Sequence, residues 1–269
     1  MISIIIITKN EEKNIERCLK SVQWANEIIV VDAVSTDRTV QIAKSLNAKV
    51  IIKQWEGFAK QKEFAMHQAS NEWIFSLDAD EEVTVELKEE ILSTIELSHT
   101  LNGYEVPRKS FFLDRWMKNG GWYPGHQLRL FKKSKTRMNH RPVHEGFLIE
   151  GLIGLLKADL NHYTYNSLYQ YLEKMNDYSS LDVMNTIGNG RIIRWYHFIL
   201  NPLSVFLRMF ISLKGYNDGM YGFLLSYYSA FHALVIYAKS WEYQSTQRNG
   251  TDTPPVSAET VAEAKYQSK

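Results

Sequence analysis

The first hundred residues alternate short β-branched runs with segments whose apolar positions recur at helical spacing, and few folds accommodate that order. "SIIIIT" reads as a buried strand, and "NEEKNIERCLKSV" follows with Ile15, Leu19 and Val22 along one helical face. "EIIVVDA" is again strand, "TDRTVQIAKSL" helix, "AKVIIK" strand, "FAKQKEFAMHQA" helix and "WIFSLD" strand. Strands alternating with helices of this length build βαβ units around a parallel sheet covered on both faces. Right-handed crossovers narrow the topology to a doubly wound α/β domain.

Such a sheet presents ligands to the carboxyl ends of its strands. Polar clusters stand at three of those ends: "TKNEE", "DAVSTD" and "DADEE". Singly, each suits a helix N-cap or a turn. Together they favour a site. Asp78 and Asp80 are two apart, so in an extended segment they leave the same face and repel unless a cation lies between them. Hard divalent ions take oxygen ligands, and Mg²⁺ shares its shell between one or two carboxylates and substrate phosphates. A diphosphate-bearing substrate is therefore a natural partner. Glu81 and Glu82 read in part as acids heading the helix expected in "VTVELKEEILSTI". A calcium loop would need Gly where Val83 stands, and neither a P-loop nor a G-x-G-x-x-G fingerprint is present.

From about Asn102 the pattern changes. "GYEVPRKSFF" and "HQLRLFKK" read as further strands, joined by the aromatic, Gly-rich "WMKNGGWYPG" into an acceptor-shaping half. Beyond "LNHYTY" the chain turns helical, with two long apolar stretches. The one between Asp218 and Lys239 carries no formal charge and has the length to cross a bilayer, but Ser, Tyr, His and Gly temper its apolarity. "RWYHFILNPLSVFLRMFISLK" is interrupted by Asn201, Pro202 and Arg208 and ends in basic residues. Basic flanks around an apolar face predict helices lying in a membrane interface; plain packing on the α/β domain and a spanning helix are the alternatives. The expected division is a catalytic domain over 1–160, a helical interfacial region over 161–248 and a disordered tail over 249–269.

A net charge of +1 argues against a nucleic-acid binder. The single cysteine, Cys18, excludes a disulfide framework and suits a reducing compartment. "MISIIIITKNEE" lacks the basic region and longer apolar run of a secretory signal, so the protein is expected to stay in the cytoplasm.

In "SIIIITKNEEKNIERCLKSV", "EIIVVDAVSTDRTVQIA", "QKEFAMHQASNEWIFSLDADEEV" and "LRLFKK…RPVHEG", the sequence resembles the family-two glycosyltransferases of GT-A fold. Within them it looks most like the lipopolysaccharide core β-1,4-glucosyltransferases, on the strength of "DADEE", "VHE" and "KGYNDGMYGF". That resemblance implies an inverting, metal-dependent transfer of a sugar, glucose by expectation, from a UDP-sugar to an inner-core glycolipid acceptor. The enzyme would sit peripherally on the inner face of the bacterial inner membrane. Thr8, Asn10 and Glu11 would line the nucleotide pocket, Asp32 would meet the uracil with Ser35 and Asp37 in the same loop, and Lys62 would approach the diphosphate or sugar. Asp78 and Asp80 correspond to the D-x-D pair for Mg²⁺ or Mn²⁺, with Asp78 also reaching the ribose and His162 a third metal ligand. Glu145 is the first candidate for the general base and Asp114 the second. Trp122, Tyr123 and Arg129 form the expected acceptor wall, since aromatic faces suit sugar rings and arginine suits phosphate or carboxylate. The other readings are a metal-dependent nucleotidyltransferase and a non-catalytic, membrane-peripheral binding protein.

Overall fold

Strand β1 (Ile2–Thr8) is buried along its whole length, which the unbroken run of isoleucines anticipates for a strand covered on both faces. The computed structural model describes residues 1–97, 100–139, 146–165, 167–187 and 191–248. Beside β1 lie β2 (Glu27–Asp32) and β4 (Trp73–Asp78), both parallel to it, and β3 (Lys49–Ile52) pairs parallel with β2. The full sheet has seven strands in the order β12-β6-β9-β4-β1-β2-β3, adding β6 (Leu101–Val106), β9 (Gln127–Lys132) and β12 (Leu152–Leu155). β9 runs antiparallel to both β4 and β6, so the sheet is mixed, as the α/β GT-A reading requires.

The alternation of side chains along β1 divides the core. Ile2, Ile4 and Ile6 pack with Cys18 and Leu19 of α1 (Ile15–Ser21), Ala43 of α2 (Thr39–Ser45), and Leu87 and Ile91 of α4 (Val85–Leu97). Ile5 and Ile7 face the other way, onto Ala65 and Met66 of α3 (Phe58–Gln68). Helices on both faces make the domain doubly wound. Each strand therefore releases its carboxyl end beside the polar loop that follows it.

The acids after β4 do not open a helix. Glu81–Val83 form a short strand, β5, and Thr84 takes the capping role, its hydroxyl accepting the Leu87 N–H at 3.1 Å. β5 pairs antiparallel with β13 (Leu160–Tyr165), setting His162 opposite Glu81. These strands join β7 (Arg108–Phe112) and β8 (Arg115–Trp116) in a second sheet, ordered β5-β13-β7-β8. A separate hairpin pairs β10 (Thr136–Asn139) with β11 (Gly146–Ile149).

The chain forms two compact units. The first comprises Met1–Ser110 and Pro124–Thr164; the second comprises Phe111–Tyr123 and the chain from Tyr165 onward. Against the expected boundary at 160, the aromatic loop of 111–123 thus goes with the helical part. That second unit has its own core, where Phe112 and Met117 pack with Tyr171 and Met175 of α5 (Leu168–Ile187) and Leu225 of α7 (Gly219–Arg248). Between these helices run α6 (His197–Leu207), a π-helical turn (Arg208–Ser212) and a 3₁₀ turn (Gly215–Asp218). Gly222 packs against that turn so closely that a Cβ would lie 1.9 Å from the Gly215 carbonyl oxygen, which explains the last of the three glycines in "KGYNDGMYG". The stretch Gly215–Gln247 has the length to cross a membrane and holds an 18-residue window of mean hydropathy 1.2, of which 22% is buried. The tail expected over 249–269 lies outside the described residues.

Candidate active site

The loops leaving β1 and β2 are laced together. Asn10, at φ 53°, donates its N–H to Ser35 Oγ at 2.8 Å and accepts the Thr36 N–H on Oδ1 at 2.8 Å. Glu11 donates its N–H to Thr39 Oγ1, and Glu12 donates to Asp37 Oδ2. Asp32 is fully buried at the end of β2, and both its oxygens accept from Ser35, the N–H at 2.8 Å and the hydroxyl at 2.5 Å. The Glu11 carboxylate accepts from Asn14, which in turn holds Arg17 over the Tyr163 ring at 3.7 Å. Thr8 is buried, and its hydroxyl has no hydrogen-bond partner among the described residues. Thr8, Asn10, Glu11, Asp32, Ser35 and Asp37 therefore gather at two neighbouring strand ends.

At the third strand end the two aspartates part company. Asp78 accepts from Arg129 Nη2 at 2.7 Å and pairs with Lys62 Nζ at 3.1 Å. The same Arg129 nitrogen reaches Glu81 Oε1 at 2.5 Å, and the Asp78 N–H donates to Glu81 Oε2 at 3.0 Å. Glu81 is fully buried and Arg129 is 4% exposed. Burial opposes the guanidinium's charge, but Asp78 and Glu81 outweigh it and hold the arginine above its ordinary pKa. Arg129 is thus spent on two internal carboxylates and is no part of an acceptor wall.

Asp80 instead faces His162, whose Nε2 lies 3.5 Å from Oδ2 while Nδ1 sits 3.3 Å from Ser110 Oγ. Among the described residues, no three His, Cys, Asp or Glu side chains converge as a ligand set. Asp80 and His162 still offer a carboxylate and an oriented imidazole. A Mg²⁺ or Mn²⁺ ion that takes its remaining donors from substrate phosphates fits that pair. Beside them, Glu82 accepts from the Tyr163 hydroxyl at 2.7 Å; burial and this bond push the phenol up to about 12.

Glu145 lies outside the described residues. Asp114 is exposed in the β7–β8 turn of the second unit, at φ 62°. Trp122 and Tyr123 belong to that unit as well: Trp122 packs edge-on to the core Phe112, and Tyr123 edge-on to Trp116. Two members of the buried charge cluster, Glu81 and Arg108, were not anticipated.

A sequence profile of Glycosyl transferase family 2 matches residues 3–164, more than half of the chain, and the protein belongs to that family. It is a glycosyltransferase. The lipopolysaccharide core biosynthesis glycosyltransferase LpsC of Rhizobium meliloti is 29% identical over 248 residues, covering 90% of this chain and 92% of LpsC. An uncharacterized glycosyltransferase of Rickettsia typhi is 34% identical over 92% of this chain and 89% of its own. Among solved structures, Staphylococcus aureus TarS 1-349 with UDP-GlcNAc superposes at a TM-score of 0.47 and 15% identity, covering 99% of this chain and 90% of that one. Glucosyl-3-phosphoglycerate synthase of Mycobacterium tuberculosis, with Mn²⁺ and UDP, superposes at 0.36 and 21% identity over 41% and 43% of the two chains.

Proposed function

We propose that this glycosyltransferase transfers a sugar, glucose in the first instance, from a UDP-sugar to a lipopolysaccharide core acceptor with inversion, using a divalent metal at a membrane surface. The observation that carries the donor side is the meeting of polar groups at the ends of β1, β2 and β4. There Thr8 keeps a buried hydroxyl without a hydrogen-bond partner among the described residues, Asp32 closes the β2 loop, and Asp80 stands against His162. The likeness to LpsC along nearly its whole length supports the acceptor class.

In this reading the β1 and β2 loops hold the nucleoside, and Asp80 and His162 hold Mg²⁺ or Mn²⁺. When bound, the metal supplies charge to offset the negative charge that develops on the departing diphosphate. Lys62 adds a second cation from α3. Removing the acceptor hydroxyl's proton falls to Glu145, with Asp114 the second choice. Trp122 and Tyr123 stay as proposed acceptor contacts, whereas Arg129 does not. The apolar helices of the second unit are proposed to rest on the cytoplasmic leaflet, with no nucleic acid among the partners.

Incubation with a panel of UDP-sugars, a truncated core acceptor and Mn²⁺ tests the reading. Release of UDP with sugar on the acceptor is expected, and pyrophosphate would indicate the nucleotidyltransferase instead. Asp80→Asn should lower transfer by at least about a hundredfold, the scale of losing a charged group that acts on the transition state. Full transfer by that variant would refute the metal assignment.

A further inference from the structure

Resting on that donor reading, we infer that Arg129 and Glu81 form a buried charge anchor that lets Lys62 change partners, from Asp78 to the donor diphosphate. One nitrogen, Arg129 Nη2, bridges Asp78 Oδ2 and Glu81 Oε1, while Lys62 takes the other Asp78 oxygen. Asp78 therefore faces two cations, Arg129 from β9 and Lys62 from α3. The Arg129 side chain is 5% exposed and those of Asp78 and Lys62 are 11% and 16% exposed, so both pairs are well shielded from water.

The backbone explains why Arg129 is there. In the β6–β9 ladder Tyr104 pairs with Leu130 and Glu105 with Leu128, so the register skips Arg129. It is the extra residue of a bulge, and a bulge re-aims its side chain. The strand β9 lies between β4 and β6, and Arg129 is buried there. Asp78 and Glu81 are its only charged neighbours in hydrogen-bond range among the contacts described, and Arg108 adds a weaker approach to Glu81 at 3.8 Å.

A buried carboxylate left without a cation is costly. When Lys62 leaves, Arg129 remains on Asp78 and Arg108 stays beside Glu81, so each carboxylate still faces a cation. Without Arg129, Asp78 would draw more heavily on Lys62 and hold it there against the diphosphate. Arg129 is accordingly a positioning residue, acting through Asp78 and Lys62.

The test compares uridine with UDP by calorimetry in the intact chain, with Mn²⁺ present. The double variant Glu81→Gln/Arg129→Met removes the anchor as a neutral pair, so it leaves no net buried charge. It should bind uridine like the wild type and UDP about tenfold more weakly, the scale of one charge-assisted hydrogen bond. Equal loss for uridine and UDP, or no loss for either, overturns the anchor. Lys62→Met covers the case in which the double variant does not fold. It should weaken UDP but not uridine and leave the melting temperature unchanged, because Arg129 still compensates Asp78 and Arg108 still faces Glu81. A melting temperature lowered as far as in Arg129→Lys would make Lys62 a structural counter-ion and also overturn the proposal. If the wild type binds neither uridine nor UDP, the donor reading itself fails and takes the anchor with it.

Discussion

At Asp37 burial acts to raise the carboxyl, but the Thr39 hydroxyl and the N–H groups of Thr39 and Glu12 hold it below its usual 3.8. A depressed carboxylate contributes stability that is fully present above the ordinary value and is lost as pH falls through the lower, folded one. The lacing of the β1 and β2 loops should therefore be complete at neutral pH and fail only below 3.8. Urea midpoints of wild type and Asp37→Ala should differ at neutral pH and converge in that acid range; a constant gap would remove Asp37 from the pH dependence. Thr8, Asn10 and Asp32 were legible as site candidates because each ends or follows an apolar run. Arg129 was expected in the acceptor wall from its chemistry, whereas in the structure it pairs with Asp78 and Glu81. An arginine's partners are set by the strands on either side, and local sequence does not report them.

At the scale of the element, α6 and the π turn carry Ile199, Leu203, Leu207 and Ile211, all about half exposed, at the spacing of one helical stripe. Between Asp182 and Asp218 the chain has Arg191, Arg194, Arg208 and Lys214 and no acid. On the proposed reading the stripe enters an anionic leaflet, each nearby cation adding about 1 kcal/mol. Leu203→Glu/Leu207→Glu should lower binding to anionic phospholipid vesicles by about a hundredfold or more, from roughly 1.5 kcal/mol per leucine. Uridine binding should not change. Vesicle co-sedimentation checks this, and undiminished binding would assign the stripe another role. Amphipathic spacing was readable from the sequence. The exposure of the stripe was not, since an apolar face looks the same whether protein or lipid covers it.

For the molecule as a whole, the second unit is built from two separated pieces of chain. Asp218, 4% exposed, accepts the Asn119 N–H at 2.8 Å and its side-chain amide at 3.2 Å, while Gly120 donates to the Leu213 carbonyl. These bonds tie the aromatic loop to the 3₁₀ turn before α7. Asp218→Ala leaves the half-buried Asn119 N–H unpaired and should cost about 1 kcal/mol, read as a lower urea midpoint. A loss below about 0.5 kcal/mol would mean that the Phe112 and Met117 packing holds the loop without it.

The sequence by itself determined the βαβ order of the first hundred residues, the three polar strand ends and the family, because strand and helix periodicities and strand-end chemistry are local. Only the tertiary structure decided that Asp78 and Asp80 have different partners. Arg129 lies 51 residues from Asp78 and 48 from Glu81. Their meeting depends on an antiparallel strand entering the sheet with one residue bulged, and long-range pairing and register leave no mark in local periodicity.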